Sequence, residues 1–185
     1  QRQIEKVSTW SRQPRILNLF AYTGGATVAC SMAGAALCHV DASKGMTNAA
    51  KENMQLSGLG EAPCRYIVDD CKKFVEREIR RGNKYDAVIL DPPSFGRGPG
   101  GEKWVIEDCL DELVELVCQV LSDEPLFVLL NSYTTGLSPA ANGYVLRKHT
   151  KKFGGKVISE ELGIPIEESN EALPCGASSR WTPDI

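Results

Sequence analysis

Five short apolar runs, Arg15–Phe20, Leu37–Asp41, Arg65–Val68, Tyr85–Leu90 and Leu126–Leu130, recur along the chain with helical stretches between them. Each run has strand length, and each is bounded by polar or turn-forming residues. Ser43 offers an N-cap to a helix over Ser43–Leu56, because its hydroxyl can accept from a free backbone N–H of the first turn. Cys71–Arg81 carries an apolar stripe at Phe74, Val75 and Ile79. Ile106, Cys109, Leu110, Leu113, Val117, Val120 and Leu121 repeat at three-to-four spacing, the period of an amphipathic helix. Strands alternating with helices of this kind imply right-handed βαβ units and a parallel sheet. Val145–Phe153 is expected to end a further helix, and Lys156–Ile166 and Gly176–Trp181 to form two final strands. Gly96–Gly101, reading Gly-Arg-Gly-Pro-Gly-Gly, is expected to be an irregular, mobile loop.

The 185 residues suffice for one domain with one core, and 42% hydrophobic against 24% charged residues is a globular balance. No apolar run approaches the roughly 20 residues of a membrane span. The polar start lacks both a signal-peptide apolar region and an initiating Met. The expectation is a piece of a longer protein, with residues 1–13 a linker or remnant of an upstream domain and 14–185 the main domain. Seven cysteines, without a Cys-x-x-Cys pair, point to free thiols in a reducing, cytoplasmic setting. His39 among apolar neighbours reads as a core histidine and His149 as a surface one, and no metal site is expected. The net charge of −3 does not describe a basic nucleic-acid binder, so any such affinity needs local patches or another domain.

Ligands of doubly wound sheets bind beyond the carboxyl ends of the strands, where the strand order reverses. The first strand leads there through Asn18-Leu19-Phe20-Ala21-Tyr22-Thr23-Gly24-Gly25-Ala26-Thr27. Gly24 and Gly25 let the backbone turn tightly, although this is not the Gly-x-Gly-x-x-Gly dinucleotide pattern. Asp41 ends the second strand about 20 residues on, where a carboxylate can accept both hydroxyls of a ribose; it could instead cap the next helix. Asp69 and Asp70 end the third strand before Cys71; an acid there can take an adenine amino group, or cap the helix that follows. After the fourth strand comes Asp91-Pro92-Pro93-Ser94-Phe95. The prolines remove donors and hold Asp91 extended, presenting a carboxylate and a carbonyl to a planar substrate that Phe95 could stack upon.

The segments Leu17–Gly24, Val40-Asp41-Ala42-Ser43, Asp69-Asp70 and Asp91–Phe95, in that order, resemble class I S-adenosylmethionine-dependent methyltransferases that modify bacterial 23S ribosomal RNA, the guanine-N7 and cytosine-C5 enzymes. The resemblance covers about Arg15 to Trp181. It implies an α/β, Rossmann-like fold with a seven-stranded, mostly parallel sheet, the last strand antiparallel, and helices on both faces. It implies S-adenosylmethionine held by Phe20, Tyr22, Thr23, Gly24, Asp41, Ser43, Asp70 and Cys71, with Asn18 and Ala42 from the same segments. It places Asp91 between cofactor and substrate as a contact of both, and the turn residues Asp91, Pro92, Pro93 and Phe95 are the expected catalytic segment. It further implies an upstream RNA-binding domain.

Carbon-5 attack on cytosine needs a cysteine nucleophile. None lies in Asp91–Ser94 or in Asn131-Ser132-Tyr133-Thr134-Thr135-Gly136, and Cys175 reads as a distant residue ahead of an edge strand. A purine nitrogen of ribosomal RNA is therefore the expected target. Asn131 and Tyr133 are candidates for base contacts, and Arg97, Lys103 and the Lys148–Lys156 cluster for phosphate contacts. Rival readings are a methyltransferase of a protein or small molecule, a nucleotide-dependent oxidoreductase on the same fold, and a cofactor-binding module without turnover.

Overall fold

The computed structural model describes residues 11–98 and 100–184. Residues 1–10 of the expected linker, and Pro99 in the glycine-rich stretch, lie outside the described residues.

A seven-stranded sheet forms the middle layer. Its strands are β1 (Arg15–Leu19), β2 (Ala36–Asp41), β3 (Cys64–Val68), β4 (Ala87–Leu90), β7 (Phe127–Ser132), β8 (Lys156–Pro165) and β9 (Ala172–Thr182). They lie in the order β3-β2-β1-β4-β7-β9-β8. β1, β2, β3, β4 and β7 pair in parallel, while β9 is antiparallel to both neighbours. The last strand is thus antiparallel, as the resemblance implied. It is not at the edge: it inserts between β7 and β8, and β8 takes the edge. β8 and β9 also run beyond the sheet as a long hairpin, with a register shift at Leu162/Gly163.

Alternation along the central strands builds two apolar faces. Leu17, Leu19, Val88, Leu90, Val128 and Leu130 join one core cluster, and Ile16, Ala87, Ile89 and Phe127 join the other. The larger cluster is closed by α3 (Cys71–Arg80), α4 (Ile106–Gln119) and α5 (Pro139–Thr150), through Phe74, Leu113 and Leu146. Cys30 of α1 (Gly25–Met32) covers the smaller one, and α2 (Lys44–Leu56) packs beside α1 and against β2 and β3. Each helix of the larger face follows a parallel strand and returns antiparallel to it, which puts the helix starts at one rim of the sheet.

Two polar knots fix the opposite rim. Asp86, 1% exposed, accepts from both terminal nitrogens of Arg12 at 2.6 and 2.8 Å, from the Arg15 N–H at 2.8 Å and from the Ser122 hydroxyl at 2.8 Å. Glu78, fully buried, accepts from Tyr85 at 2.5 Å, Asn83 at 2.9 Å and Arg81 at 3.1 Å. Burial alone would push both carboxyls up, but these donors outweigh it and hold both below the usual range.

The glycine-rich stretch differs from expectation. β5 (Phe95–Arg97) and β6 (Lys103–Val105) pair as a small antiparallel hairpin with Gly96 opposite Trp104. The hairpin is anchored because Trp104, 8% exposed, tucks into the core cluster beside Phe20, their ring centroids 4.9 Å apart.

Candidate cofactor and transfer site

The carboxyl ends of β1, β2, β3 and β4 converge on a cavity of about 300 Å³, near the lower end for small-molecule sites. Phe20, Tyr22, Asp41, Ala42, Asp70 and Cys71 form one side of its wall. Asp91, Pro92, Pro93 and Tyr133 form the other, and Gly96, Arg97, Gly98 and Trp104 of the hairpin cover it. It sits where the strand order reverses, between β1 and β4.

The turn after β1 is strained. Phe20 and Tyr22, with φ of 55° and 48°, are the non-glycine residues of positive φ among those described. A left-handed backbone costs an L-residue about 1–2 kcal/mol, and such strain collects at binding sites. Asp41 helps hold it: one carboxylate oxygen accepts from the Tyr22 N–H and the other from the Ser43 N–H, each at 2.8 Å. Each oxygen keeps a second lone pair, so two ribose hydroxyls can still be received. Ser43 itself caps α2, accepting from the Met46 N–H at 3.3 Å, and is not in the cavity wall.

Asp70 caps α3 and also borders the cavity. Its Oδ1 accepts from the Lys73 N–H at 2.9 Å. Asp69 turns aside to an ion pair with Arg77. Cys71 opens α3, so its backbone N–H belongs to the helix donors without an intrahelical partner. Its buried thiol accepts from the Phe20 N–H at 3.3 Å, and burial pushes its pKa far up, which makes it a neutral spacer.

Several expected cofactor contacts lie outside the wall. Asn18 is buried and donates to Thr27 Oγ1 at 3.0 Å, and Thr27 Oγ1 is 2.9 Å from His39 Nδ1. This network lies beneath the turn, and burial pushes the His39 pKa down to about 4, so the ring stays neutral. Thr23 presents its carbonyl to Asn53 at 2.9 Å. Gly24, φ 84°, caps α1, and an added Cβ would meet the Ala50 Cβ at 2.9 Å, so its glycine serves helix packing.

On the transfer side, Asp91 holds one oxygen, Oδ1, buried and without a partner among the described residues. Burial alone raises its pKa. The Pro93 carbonyl is taken by the Trp104 indole N–H at 2.6 Å. Phe95, 60% exposed, sits on β5 outside the wall, because strand alternation turns it away from the side on which Trp104 is buried. Asn131 is paired within β7 against Ser178 and is also outside the wall. Arg97 and Tyr133 do reach it.

Trp104 was not singled out in the sequence. The signal was the alternation Lys103-Trp104-Val105, obscured by the glycines before it. A second correction concerns Cys175. Because β9 enters between β7 and β8, Cys175 reaches a second cleft beside Tyr133, Thr134 and Thr135. His149 is also covered, its side chain 10% exposed and 2.9 Å from Asp111, which holds Lys148 as well. No group of three or more possible metal-ligating side chains occurs among the described residues. No helix among them is long and apolar enough to cross a membrane.

Comparison with known proteins agrees with this geometry. The S-adenosylmethionine-dependent methyltransferase family matches residues 4–136. A methyltransferase of that dependence from Agrobacterium tumefaciens superposes with a TM-score of 0.91 at 38% identity, over 99% of this chain and 60% of that one. The ribosomal RNA large subunit methyltransferase K/L of Cellvibrio japonicus is 34% identical over 133 residues, 68% of this chain and 17% of the relative. The ribosomal RNA large subunit methyltransferase I of Klebsiella pneumoniae is 35% identical over 82 residues, 44% of this chain and 20% of the relative. The chain therefore spans about a fifth of the length of these curated relatives. It belongs to the S-adenosylmethionine-dependent methyltransferase family.

Proposed function

We propose that this chain is the catalytic part of an RNA methyltransferase acting on a base of large-subunit ribosomal RNA, with a purine nitrogen as the acceptor. The observation that carries the reading is Asp91, whose buried Oδ1 has no partner among the described residues although it lines the cavity. A carboxylate oxygen left unsatisfied in a protein interior is costly unless a ligand completes it. The cofactor supplies an electrophilic methyl group on a positively charged sulfur. Asp41 and Asp70 would hold the ribose and adenine, and Phe20 with Trp104 would shield them from water. Asp91 would orient the acceptor, accepting a hydrogen bond from an exocyclic amine or lying beside a ring nitrogen. Transfer by displacement asks mainly for alignment and dryness, which a rigid turn of two prolines supplies.

The relatives' names support ribosomal RNA as the substrate. So do Tyr22, Phe95 and Tyr133, which stand 63%, 60% and 53% exposed as surfaces for stacking. The net charge of −3 leaves phosphate affinity to Arg97 and to a further RNA-binding domain of the full protein.

Cys175 favours a second reading. A half-buried thiol in the cleft beside Tyr133 could add to C6 of cytosine and permit methylation at C5. Transfer of labelled methyl from S-adenosylmethionine to total RNA, followed by nucleoside mass analysis, tests the proposal. A methylated purine, still formed by Cys175→Ser, is expected. 5-Methylcytosine, lost in that variant, supports the second reading instead. No labelled nucleoside at all overturns both.

A further inference from the structure

Beside the cofactor cavity lies a second space of about 350 Å³, between the loop after β7 and the β8–β9 hairpin. Tyr133 belongs to the walls of both. We propose that this cleft is the acceptor subsite, that it takes an uncharged planar heterocycle, a nucleobase, and that the Tyr133 ring is its stacking surface; the proposal rests on the methyltransferase reading given above.

The chemistry of the wall selects the ligand class. Thr134, Thr135, Ser138 and Cys175 are neutral polar groups, Glu161 is the one charged residue in the lining, and lysine, arginine and histidine are absent from it. An anionic phosphate would meet a carboxylate there and no cation. A base carrying N–H donors would meet hydroxyls and carboxylate acceptors. The phosphodiester of such a nucleotide is left to run outside the cleft.

Three contacts place Tyr133. An added Cβ on Gly176 would lie 2.7 Å from Tyr133 Cδ1 and 2.6 Å from the Ser132 carbonyl, so only glycine lets the ring lie against β9. The Ser94 and Thr134 hydroxyls are 2.7 Å apart, which links the loop carrying Tyr133 to the Asp91–Ser94 turn. The Tyr133 hydroxyl feels burial first, then the charges of Asp91 and Cys175, and all three raise its pKa. Tyr133 lines both the cavity that Asp91 borders and the cleft that Cys175 borders. It is 53% exposed and is not a core residue, so replacing it leaves the fold intact.

The test is ligand-observed saturation transfer from the S-adenosylhomocysteine-loaded protein to guanosine, adenosine and cytidine, for wild type, Tyr133→Phe and Tyr133→Ala, with thermal unfolding as the check on folding. Transfer to base protons is expected in wild type and Tyr133→Phe. It should weaken at least about fivefold in Tyr133→Ala, at an unchanged unfolding midpoint, and inorganic phosphate should not compete. No transfer in wild type, equal transfer in Tyr133→Ala, or displacement by phosphate overturns the proposal. Nucleoside binding through Tyr133 without methylation of any RNA would defeat the ribosomal RNA reading alone.

Discussion

The indole N–H of Trp104 donates to the carbonyl of Pro93 at 2.6 Å, tying the β5–β6 hairpin to the turn that carries Asp91. The same indole packs at a tilted angle, 51°, against the Phe20 ring at the end of β1, so one side chain joins the cover of the cavity to both of its walls.

Trp104→Phe keeps an aromatic ring against Phe20 and loses the hydrogen bond. The expected result is S-adenosylhomocysteine affinity about fivefold weaker by calorimetry, the equivalent of one net hydrogen bond of about 1 kcal/mol. Trp104→Ala also removes a buried aromatic and should destabilise the fold by about 3 kcal/mol in urea unfolding.

Asp41 accepts two backbone N–H groups while facing the cavity. Asp41→Ala leaves the Tyr22 turn unsupported and removes the ribose acceptor. Cofactor affinity should fall about 10- to 100-fold, as expected for charge-assisted hydrogen bonds. Unchanged affinity would remove Asp41 from the site.

The fold should fail in acid for an assignable reason. Glu78 and Asp86 are held below their ordinary pKa in the folded chain by Tyr85, Arg81, Asn83 and Arg12. The unfolded chain therefore takes up these protons at higher pH than the folded one. Their contribution is present above the unfolded values, near pH 4, and is lost as pH falls through the folded ones. Glu78→Gln and Asp86→Asn should each flatten the loss of stability below pH 5, and each should lower stability at pH 7, measured by urea unfolding across that range.

Much of this architecture was legible in the sequence because the central strands are buried on both faces. Runs such as Ala87–Leu90 are then continuously apolar, and Ile16–Leu19 is broken by Asn18 alone, whose amide is bonded internally to Thr27. Asp41, Asp70 and Asp91 were legible because carboxylates directly after such runs have to emerge at the carboxyl rim. The ring of Trp104 was not, because the glycines ahead of it read as an irregular, mobile loop while its burial depends on Phe20, far back in the chain. Nor was the arrival of Cys175 beside Tyr133, since the insertion of β9 between β7 and β8 leaves no mark in local pattern. Asn18, Thr23 and Gly24 were read as ligand contacts, yet none is in the cavity wall: the Asn18 amide is bonded to Thr27, the Thr23 carbonyl to Asn53, and Gly24 lies close against Ala50. A motif shows that a turn is special without showing which of its atoms face the ligand.

Asp91→Ala, followed by calorimetry with S-adenosylhomocysteine and by single-turnover methyl transfer to RNA, probes the role given to the buried Oδ1. The account predicts cofactor affinity within about threefold of wild type and a transfer rate lower by at least about 100-fold, the scale of a lost general acid–base or orienting group. Transfer at the wild-type rate would contradict it.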